Sequence, residues 1–322
     1  MCVRTNPCQL QPSFVFDMNA RDWVFSSGSV WFHSLEAGKD PGPAAREVPA
    51  TLPMCSRRAK TYMNIRSANK IRAAVRKIIT ELKFLPYYIS DIHASSRYPL
   101  PPVRLRYRVG ADFDASTFLT KGERIAGDLL QGVADAGYEP SQFRSVLDFG
   151  CGCGRVMGPL REKMPQAAWH GADIDPMAIA WMSKNYQGVV LKQNPFHPPS
   201  LFGANQFDLI YGVSVFTHLD EAFQDEWLSE LHRMSSAGGL LLLSIHGETV
   251  TPPDISALRA KGFLFQVTKT GFYKLDGLPD FYQLAWHLPE YIRSHWSRWF
   301  EVAGIRPRGI NNHQDLVILR RK

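Results

Sequence analysis

A glycine-rich turn between a predicted strand and a predicted helix constrains this chain more than any other feature. Asp148 to Gly154 reads DFGCGCG, after the apolar run Ser145–Phe149 and before a helical pattern at about 155–164. Glycine lets the backbone turn tightly and approach a ligand without a Cβ in the way. In an open α/β sheet, ligands bind at this junction, beside the free N–H groups that begin the helix. The spacing Gly-x-Gly-x-Gly differs from the dinucleotide fingerprint, so the turn alone predicts a binding site without naming its ligand.

Strands and helices alternate from residue 145 onward. Strands are predicted at 145–149, 167–173, 189–191, 207–211, 240–245, 300–306 and 316–319. Helices are predicted at 155–164, 176–185 and 220–234. A turn at Ala237-Gly238-Gly239 is expected to precede the fifth strand. Such alternation indicates an α/β fold with a mostly parallel sheet that is covered on both faces.

An acidic residue at the end of the second predicted strand adds to the glycine turn. Asp173 lies roughly 20 residues beyond the turn, where a carboxylate can accept both hydroxyls of a ribose. With these two features, residues 140–320 resemble the class I S-adenosylmethionine-dependent methyltransferases of the bacterial small-molecule type. DFGCGCG resembles their first motif, FDLIYGVSVFTHL (207–219) resembles their fourth-strand motif, and 231–242 resembles their next helix, turn and fifth strand.

The resemblance implies a fold, a cofactor and a set of binding residues. The implied fold is a Rossmann-like seven-stranded methyltransferase sheet of order 3-2-1-4-5-7-6, with the last strand antiparallel and an N-terminal helical extension. The implied cofactor is S-adenosyl-L-methionine. Its sulfonium is an activated methyl donor, so the protein mainly aligns donor and acceptor and excludes water. The implied cofactor-binding residues are Asp148, Gly150, Gly152 and Gly154 at the methionine moiety, Asp173 at the ribose, Asn194 and Phe196 at the adenine, and Val213 after the fourth strand.

Candidates for acting on the methyl acceptor follow the same edge of the predicted sheet. His218 and His246 come after the fourth and fifth strands, and a neutral histidine can accept a hydroxyl proton. Further candidates for substrate contact are Tyr107, Glu248, His287 and His313. A structural role stays open for each of them, such as capping of the next helix by His218. The expected acceptor is a small hydroxylated molecule, such as a sugar or a natural product, that is methylated on oxygen.

The cysteines predict packing rather than disulfide or metal chemistry. Five cysteines are an odd number and too few for a disulfide scaffold. Cys151 and Cys153 lie inside the glycine turn, where we expect small space-filling side chains. No second Cys or His pair at ligand spacing accompanies them, so no metal is expected. Because the N-terminus shows no unbroken apolar leader, we expect a cytoplasmic protein.

Positive charge is concentrated ahead of the methyltransferase-like region. Residues 57–108 carry 13 Lys/Arg and two acids, whereas the whole chain has a net charge of +7. Apolar residues recur at helical spacing over 64–85, and Pro86 is expected to end that helix. A second helix is predicted at 122–136. The expected organisation is a poorly ordered extension (1–62), a basic helical cap or arm (63–138) and a cofactor-binding domain (139–322).

Several alternatives stay open at this stage. The basic helix can cover the core, or it can contact an anionic membrane or a phosphate-bearing substrate. A nucleic-acid (RNA) methyltransferase is disfavoured because Asn194-Pro195-Phe196 precedes the fourth strand and no RNA-binding module is recognisable. A non-catalytic cofactor-binding protein is the other rival, since a fold does not establish activity. The 11 aromatic residues from Phe263 to Phe300 fit either an apolar acceptor pocket or an extra hairpin with its own core.

Overall fold

The computed structural model describes residues 25–26, 29–30, 81–110, 112–267 and 283–322. The predicted extension and most of the predicted basic helix lie outside these residues, apart from a short antiparallel pair between Phe25–Ser26 and Ser29–Val30. The chain divides into two compact units, Met1–Arg66 and Ser67–Lys322. Among the described residues, no helix combines the length and apolar character needed to cross a membrane.

The second unit alternates strands and helices as the sequence predicts. Its strands are β1 (Ser145–Phe149), β2 (Ala168–Asp173), β3 (Val189–Gln193), β4 (Phe207–Gly212), β5 (Ser235–Ile245), β6 (Phe263–Gln266), β7 (Leu284–His287), β8 (Phe300–Ile310) and β9 (Gln314–Arg321). Its helices are α1 (81–91), α2 (Val103–Gly110), α3 (Ala115–Asp135), α4 (Met157–Lys163), α5 (Pro176–Asn185), α6 (Glu221–Met234), α7 (Ile255–Lys261) and α8 (Pro289–His295).

Seven of the strands form one mixed sheet, in the order β3-β2-β1-β4-β5-β9-β8. The first five pair in parallel, and β9 runs antiparallel to both β5 and β8. Since β6 and β7 pair with each other instead, β8 and β9 are the sixth and seventh strands of the sheet along the chain. The predicted α/β fold and the predicted order 3-2-1-4-5-7-6, with an antiparallel last strand, are therefore confirmed.

The apolar runs of the central strands follow from burial on both faces of the sheet. In β5, Leu240 to Leu243 are each at most 1% exposed. Because side chains alternate along a strand, Leu240 and Leu242 join one core cluster and Leu241 and Leu243 join the other. Helices α3 and α4 cover the first face, while α6 covers the second.

Helix α3 confirms the second predicted helix but begins earlier than its apolar spacing indicates. Ile125, Leu129 and Val133 face the core, each at most 3% exposed. The helix begins at Ala115 because the Asp114 carboxylate accepts the Thr117 N–H at 2.8 Å and caps the first turn.

Two predicted boundaries are wrong. Helix α1 continues through Pro86 to residue 91, although proline removes one helical hydrogen bond. That turn faces solvent, since Leu82 is 60% exposed, so water can satisfy the freed backbone group, while buried Phe84 anchors the helix. Strand β5 begins at Ser235, because Gly238 adopts φ +70° and forms a bulge where a turn was predicted.

The aromatic-rich region forms the hairpin β6–β7, as one of the two sequence interpretations predicts. Phe263 pairs with His287 in the antiparallel register and stacks on Tyr291 of α8, with ring centroids 5.4 Å apart. The Trp286 indole donates a hydrogen bond to the Val250 carbonyl at 2.8 Å. Residues 268–282, which join the two strands, lie outside the described residues.

Candidate functional site

A cleft of about 1100 Å³, counted with its solvent-open mouth, lies at the carboxyl ends of β1, β2 and β4. This is the edge at which open α/β sheets bind their ligands. Its lining residues are Arg108, Val109, Asp148, Phe149, Gly150, Cys151, Gly152, Arg155, Val156, Asp173, Ile174, Asp175, Asn194, Phe196, Val213, Ser214, Val215, Leu219, Phe223 and Trp227. All the residues predicted to bind the cofactor are among them except Gly154.

The glycine turn forms one wall of this cleft, and two of its glycines are needed there. Gly150 has φ +81° and Gly152 has φ +51°, in the left-handed region that disfavours side chains. A Cβ on Gly150 would lie 2.4 Å from Val215 Cγ2, and one on Gly152 would lie 2.7 Å from Val109 Cγ2. The absence of these two side chains therefore keeps the wall open to a ligand.

Gly154 has a supporting role instead of the predicted lining role. Its φ is +79°, and a Cβ there would lie 2.7 Å from the Tyr186 ring. The Tyr186 hydroxyl also donates a hydrogen bond to the Gly154 carbonyl at 2.9 Å. Gly154 therefore lets the turn pack against Tyr186, outside the set of residues that line the cleft.

The Asp173 carboxylate lies at the end of β2 and holds the turn in place. Its Oδ2 accepts the Gly152 N–H at 2.7 Å, and its Oδ1 accepts the Asp175 N–H at 2.8 Å. Burial raises the pKa of Asp173, and these two backbone hydrogen bonds oppose that shift. A carboxylate oxygen has two lone pairs, so each oxygen keeps one for a ligand hydroxyl in the cleft.

A second carboxylic acid, Asp148, is buried at the end of β1. It is 4% exposed, and its Oδ2 accepts the hydroxyl of Tyr211 at 2.7 Å. Burial raises the pKa of Asp148 to about 7, and the charge of Asp173 adds to the rise, whereas the Tyr211 hydrogen bond and Arg155 lower it. The cleft therefore contains an acid that changes its charge near neutral pH.

An amide and an aromatic ring lie beyond β3, where the sequence predicts an adenine site. Asn194 is 5% exposed, its N–H donates to the Asp173 carbonyl at 2.9 Å, and its Oδ1 accepts the Ser200 hydroxyl at 3.1 Å. Phe196 is 51% exposed and lines the same cleft. The structure thus brings both predicted residues to the cleft beside Asp173.

Ser214 is a cleft residue that the sequence analysis missed. It follows β4 between Val213 and Val215, and it adopts φ +60°, which is unusual for a residue other than glycine. Its N–H donates to Ser244 Oγ at 2.7 Å, and its hydroxyl accepts the Gln314 amide at 2.8 Å. Strained positions held by such bonds are concentrated at functional sites. Nothing in the sequence predicts that this serine adopts the left-handed conformation.

Helix α2 covers part of the cleft through Arg108 and Val109. Arg108 Nη2 lies 3.1 Å from Asp175 Oδ2, which joins the helix to the end of β2. Val109 packs over Gly152, as described above. The sequence analysis selected Tyr107 of this segment as a candidate contact and missed its neighbours Arg108 and Val109.

Tyr107, the predicted substrate contact, does not reach the cleft. Its ring lies 5.6 Å from that of Phe84 and 4.8 Å from that of Phe113, centroid to centroid. Successive residues of a helix point about 100° apart, so Arg108 faces the cleft while Tyr107 packs on the aromatic rings.

Arg155 was also missed, although it directly follows the glycine turn. Its Nη1 lies 3.4 Å from Asp112 Oδ2, and Lys121 forms an ion pair with the other oxygen of that carboxylate. Asp112 is only 5% exposed. Two cations therefore share one buried carboxylate.

The two predicted catalytic histidines are brought together, but neither lines the cleft. The His218 and His246 ring centroids are 6.4 Å apart, and His313 lies 6.1 Å from His246. Hairpin β6–β7 covers them, since the Ala285 N–H donates to the Thr217 carbonyl. Burial lowers the pKa of His218 and of His246 to about 4. The role of either histidine as a base therefore stays a prediction.

The remaining predicted substrate residues have structural or surface positions. His287 is completely buried, and its Nε2 lies 2.9 Å from Gln224 Oε1. Burial lowers the pKa of His287 to about 3. Glu248 is exposed and forms an ion pair with Arg259 at 2.9 Å. His313 is exposed beside His246. None of these three residues lines the cleft.

The two cysteines of the turn fill space, as predicted. Cys151 is 5% exposed, and Cys153 is completely buried against Leu105 and Phe118. Burial raises the pKa of Cys153 to about 12, so its thiol is uncharged. Within the described ranges, no three His, Cys, Asp or Glu residues are grouped so that they could hold a metal ion.

Comparison with known proteins agrees with this geometry. Residues 146–239 match a family model described as a methyltransferase domain. Trans-aconitate 2-methyltransferase of Methylobacterium nodulans is 36% identical over 104 residues, which are 30% of this chain and 38% of that protein. The match thus spans less than two fifths of the length of this curated relative.

Solved methyltransferase structures show more distant likeness. A putative methyltransferase complexed with the Haloferax volcanii Trm112 activator is 13% identical, with 70% of this chain and 99% of that chain covered and a TM-score of 0.47. Human N-acetylserotonin methyltransferase in complex with SAM is 15% identical, with 61% and 51% covered and a TM-score of 0.40.

The sheet order and the cleft at its carboxyl edge define a Rossmann-like α/β protein of the methyltransferase type. The family match, over residues 146–239, includes the glycine turn and the strands β2, β3 and β4, and this part of the chain is similar to a methyltransferase domain.

Proposed function

We propose that this protein transfers the methyl group of S-adenosyl-L-methionine to a small-molecule acceptor. The proposed acceptor is a sugar or a natural product, which is methylated on a hydroxyl oxygen. The observation that carries the proposal is the cleft wall in which two Cβ-free glycines lie beside the Asp173 carboxylate. A nucleoside linked to an amino acid fits this arrangement, because the glycines allow close approach and the carboxylate accepts hydroxyls.

The protein's own residues would bind and orient the two reactants. Asp173 would hold the ribose hydroxyls, Asn194 and Phe196 would hold the adenine, and the turn at Gly150 and Gly152 would hold the methionine moiety. When bound, the cofactor supplies a methyl group on a sulfonium that needs no further activation. The main task of the cleft is therefore to align the acceptor oxygen and to exclude water.

The acceptor side of the proposal relies on the cover of the cleft and on the curated relative. The space for the acceptor near the glycine turn is bounded by Arg108, Val109 and Ser214. A bounded space of this kind suits a small acceptor. The curated relative is named for trans-aconitate, which is a small molecule. Since the predicted histidine bases lie outside the cleft lining, alignment rather than a histidine base is expected to dominate the rate.

Cofactor binding by an Asp173→Ala variant tests the proposal. Loss of the hydrogen bonds to the ribose should weaken binding of S-adenosylmethionine about 100-fold, equivalent to about 2.7 kcal/mol. Isothermal titration calorimetry measures this directly. Asp208→Ala is the matched control, because Asp208 also accepts two backbone N–H groups, those of Arg144 and Ser145, but lies outside the cleft lining. Equal affinities for wild type and Asp173→Ala would refute the assigned site.

The acceptor class is tested separately by a screen with the wild-type protein. Sugars, phenols and small carboxylic acids are each incubated with the cofactor, and formation of demethylated cofactor is measured. Turnover with a small acceptor supports the proposal. Turnover only with RNA would replace it with the nucleic-acid alternative, and tight cofactor binding without turnover on any acceptor would favour a non-catalytic binder.

A further inference from the structure

A buried tyrosine hydroxyl contacts one of the acids that line the cleft. Tyr211 of β4 is completely buried and is paired with Asp148 of β1 in the parallel register of the sheet. Side chains of directly paired residues point to the same face of a sheet. The Tyr211 hydroxyl donates to Asp148 Oδ2 at 2.7 Å. Asp148 lines the cleft and Tyr211 does not, so the tyrosine can affect a ligand only through that carboxyl group.

Packing of the core requires the ring of Tyr211 but not its hydroxyl. The ring belongs to the apolar cluster that includes Val146 and Leu209. A phenylalanine would bury the same ring without a polar group, and a buried hydroxyl costs free energy unless it has a hydrogen-bond partner. Burial and the neighbouring Asp148 raise the pKa of Tyr211 well above its ordinary value, so the hydroxyl keeps its proton. Tyr211 therefore remains a hydrogen-bond donor to Asp148 at neutral pH.

Other charged and titratable groups also face Asp148. Among the described residues they lie on the glycine turn and just after it, on β2, on β4 and at the end of α5, and they are Cys151, Arg155, Asp173, Tyr211 and Tyr186. Burial and the charge of Asp173 favour the neutral acid, whereas the Tyr211 hydrogen bond and Arg155 favour the carboxylate. Burial raises the pKa of Cys151 and of Tyr186, so both are neutral at physiological pH.

Of the two groups that favour the carboxylate, Tyr211 is the one in direct contact with it. Arg155 is engaged elsewhere, since its Nη1 lies 3.4 Å from Asp112 Oδ2. A hydrogen bond donated to the charged form of an acid favours that form, and it also holds the accepting oxygen in place. The charge that Asp148 presents to the cleft at neutral pH therefore depends in large part on one hydroxyl of a residue outside the cleft.

The charge of Asp148 matters for the ligand that the proposed function assigns to the cleft. S-adenosylmethionine carries a positive charge on its sulfur, whereas the demethylated cofactor, S-adenosylhomocysteine, has a neutral sulfur. Opposite charges attract, and they do so more strongly in a partly buried site than in water. The two compounds share their adenosine and amino-acid parts, which are assigned to Asp173, Asn194 and the glycine turn. Those residues therefore cannot distinguish one compound from the other.

We propose that Tyr211 is a positioning residue for the methyl donor, because its hydroxyl holds the Asp148 carboxyl group in the ionised state and in the orientation that favour a sulfonium over a neutral sulfur. This inference rests on the proposed function, since it takes the ligand to be S-adenosylmethionine. It adds to that function a residue that acts on the ligand through its neighbour.

Calorimetric titration of wild type and Tyr211→Phe with S-adenosylmethionine, at about pH 6, 7 and 8.5, tests the inference. The variant should bind about 10-fold more weakly than wild type at pH 6, about fivefold more weakly at pH 7 and less than about twofold more weakly at pH 8.5. The reason is that loss of the donor raises the pKa of Asp148, so the variant needs a higher pH to ionise it. Titration of the ligand itself cancels in this ratio.

The controls separate the charge of Asp148 from a structural effect. S-adenosylhomocysteine should distinguish the two proteins by less than about twofold at each pH. Tyr186→Phe is the matched variant, because it also removes a buried tyrosine hydroxyl, which donates to the Gly154 carbonyl at 2.9 Å. Its affinity relative to wild type should be the same at every pH. In an Asp148→Asn background, Tyr211→Phe should cause no further loss, since no carboxylate remains to be held.

The outcomes that contradict the inference are distinct from failure of the proposed function. A loss in Tyr211→Phe that is constant with pH, or equal for the two compounds, overturns the inference. If Tyr211→Phe does not fold, Asp148→Asn provides the measurement: the advantage of wild type over this variant should grow about 10-fold from pH 6 to 8.5, and a constant advantage overturns the inference. If wild type does not bind S-adenosylmethionine at all, the proposed function fails and the inference with it.

Discussion

Single glycines decide whether the cleft can accept a ligand, and Gly150 is the clearest example. It combines φ +81° with a neighbour, Val215 Cγ2, that a Cβ would approach to 2.4 Å. Gly188 has a similar φ of +74°, yet the nearest atom to its Cβ position is Arg161 Nη2 at 3.4 Å. The two positions therefore share the left-handed backbone conformation and differ in crowding.

A Gly150→Ala substitution is expected to weaken cofactor binding by about 10-fold or more, because the new methyl group displaces Val215 and the turn. Titration calorimetry with S-adenosylmethionine measures the change. Gly188→Ala should lower the free energy of unfolding by about 1 kcal/mol and leave the affinity unaltered. In Gly150→Ala/Val215→Ala, most of the lost affinity should return. If the affinity is the same in all variants, the turn does not contact the cofactor.

At the scale of the elements, buried Arg106 joins α1 to α2. Its side chain is completely buried, and its two terminal nitrogens donate to the Asp91 carboxylate at 2.8 and 2.9 Å. They also donate to the carbonyls of Pro101 and Phe113, at 2.7 and 2.6 Å. A buried guanidinium is stable only while such partners remain, because desolvation of an unpaired charge costs several kcal/mol.

Asp91→Asn should therefore lower the free energy of unfolding by about 2 to 3 kcal/mol, since Arg106 keeps its charge and loses its counter-charge. Glu81→Gln gives the comparison on the same two helices. The Glu81–Arg104 pair is about one third exposed on each side, so its loss should cost less than about 1 kcal/mol. Urea denaturation of the three proteins measures both effects. Equal costs for the two variants would show that burial of Arg106 does not matter.

The sequence predicts most elements because their burial leaves a pattern. The order of the sheet and the bounds of β1 and α5 follow from apolar runs, Pro176 and the turns. Two features leave no such pattern. The continuation of α1 past Pro86 depends on solvent at Leu82, and the early start of β5 depends on a bulge at Gly238.

The candidate site shows the same limit. The glycine turn and Asp173 are recognisable because their chemistry is local in the sequence. Ser214 lines the cleft because its backbone adopts the left-handed conformation. Arg108 lines it because helix α2, which is distant from the glycine turn in the chain, lies over the cleft. The sequence does not reveal that hairpin β6–β7 covers His218, because the hairpin is formed by a segment far from it in sequence.

For the whole molecule, neutral buried histidines set the response to acid. Burial lowers the pKa of His218 and His246 to about 4 and that of His287 to about 3. An unfolded histidine binds a proton near pH 6.5. Between pH 6.5 and about 4 the unfolded state therefore binds more protons than the folded state, so stability falls as pH falls. Asp148 acts in the opposite direction, because its raised pKa makes the folded state the better proton binder between about pH 4 and 7.

His287→Gln is expected to make the fall in stability below pH 6.5 less steep, because one of the three histidines no longer titrates in the unfolded state. The expected change is up to about 1.4 kcal/mol per pH unit. Urea denaturation at several pH values gives the slope for each protein. His93→Gln, at an exposed histidine, should keep the wild-type slope. A slope unchanged by His287→Gln would mean that this ring is already protonated in the folded protein.

Asp148 has a consequence for what the cleft prefers to hold. A carboxyl group whose pKa is about 7 is about half neutral at physiological pH, and a cation beside it lowers its pKa and shifts it toward the anionic form. The charge of Asp148 thus depends on what the cleft holds. The ionised carboxylate favours a positively charged ligand, and the carboxyl group binds a proton again when that charge is lost. A compound that gives up its positive charge during its stay, as a sulfonium does on losing its methyl group, would be retained less strongly at the end than at the beginning.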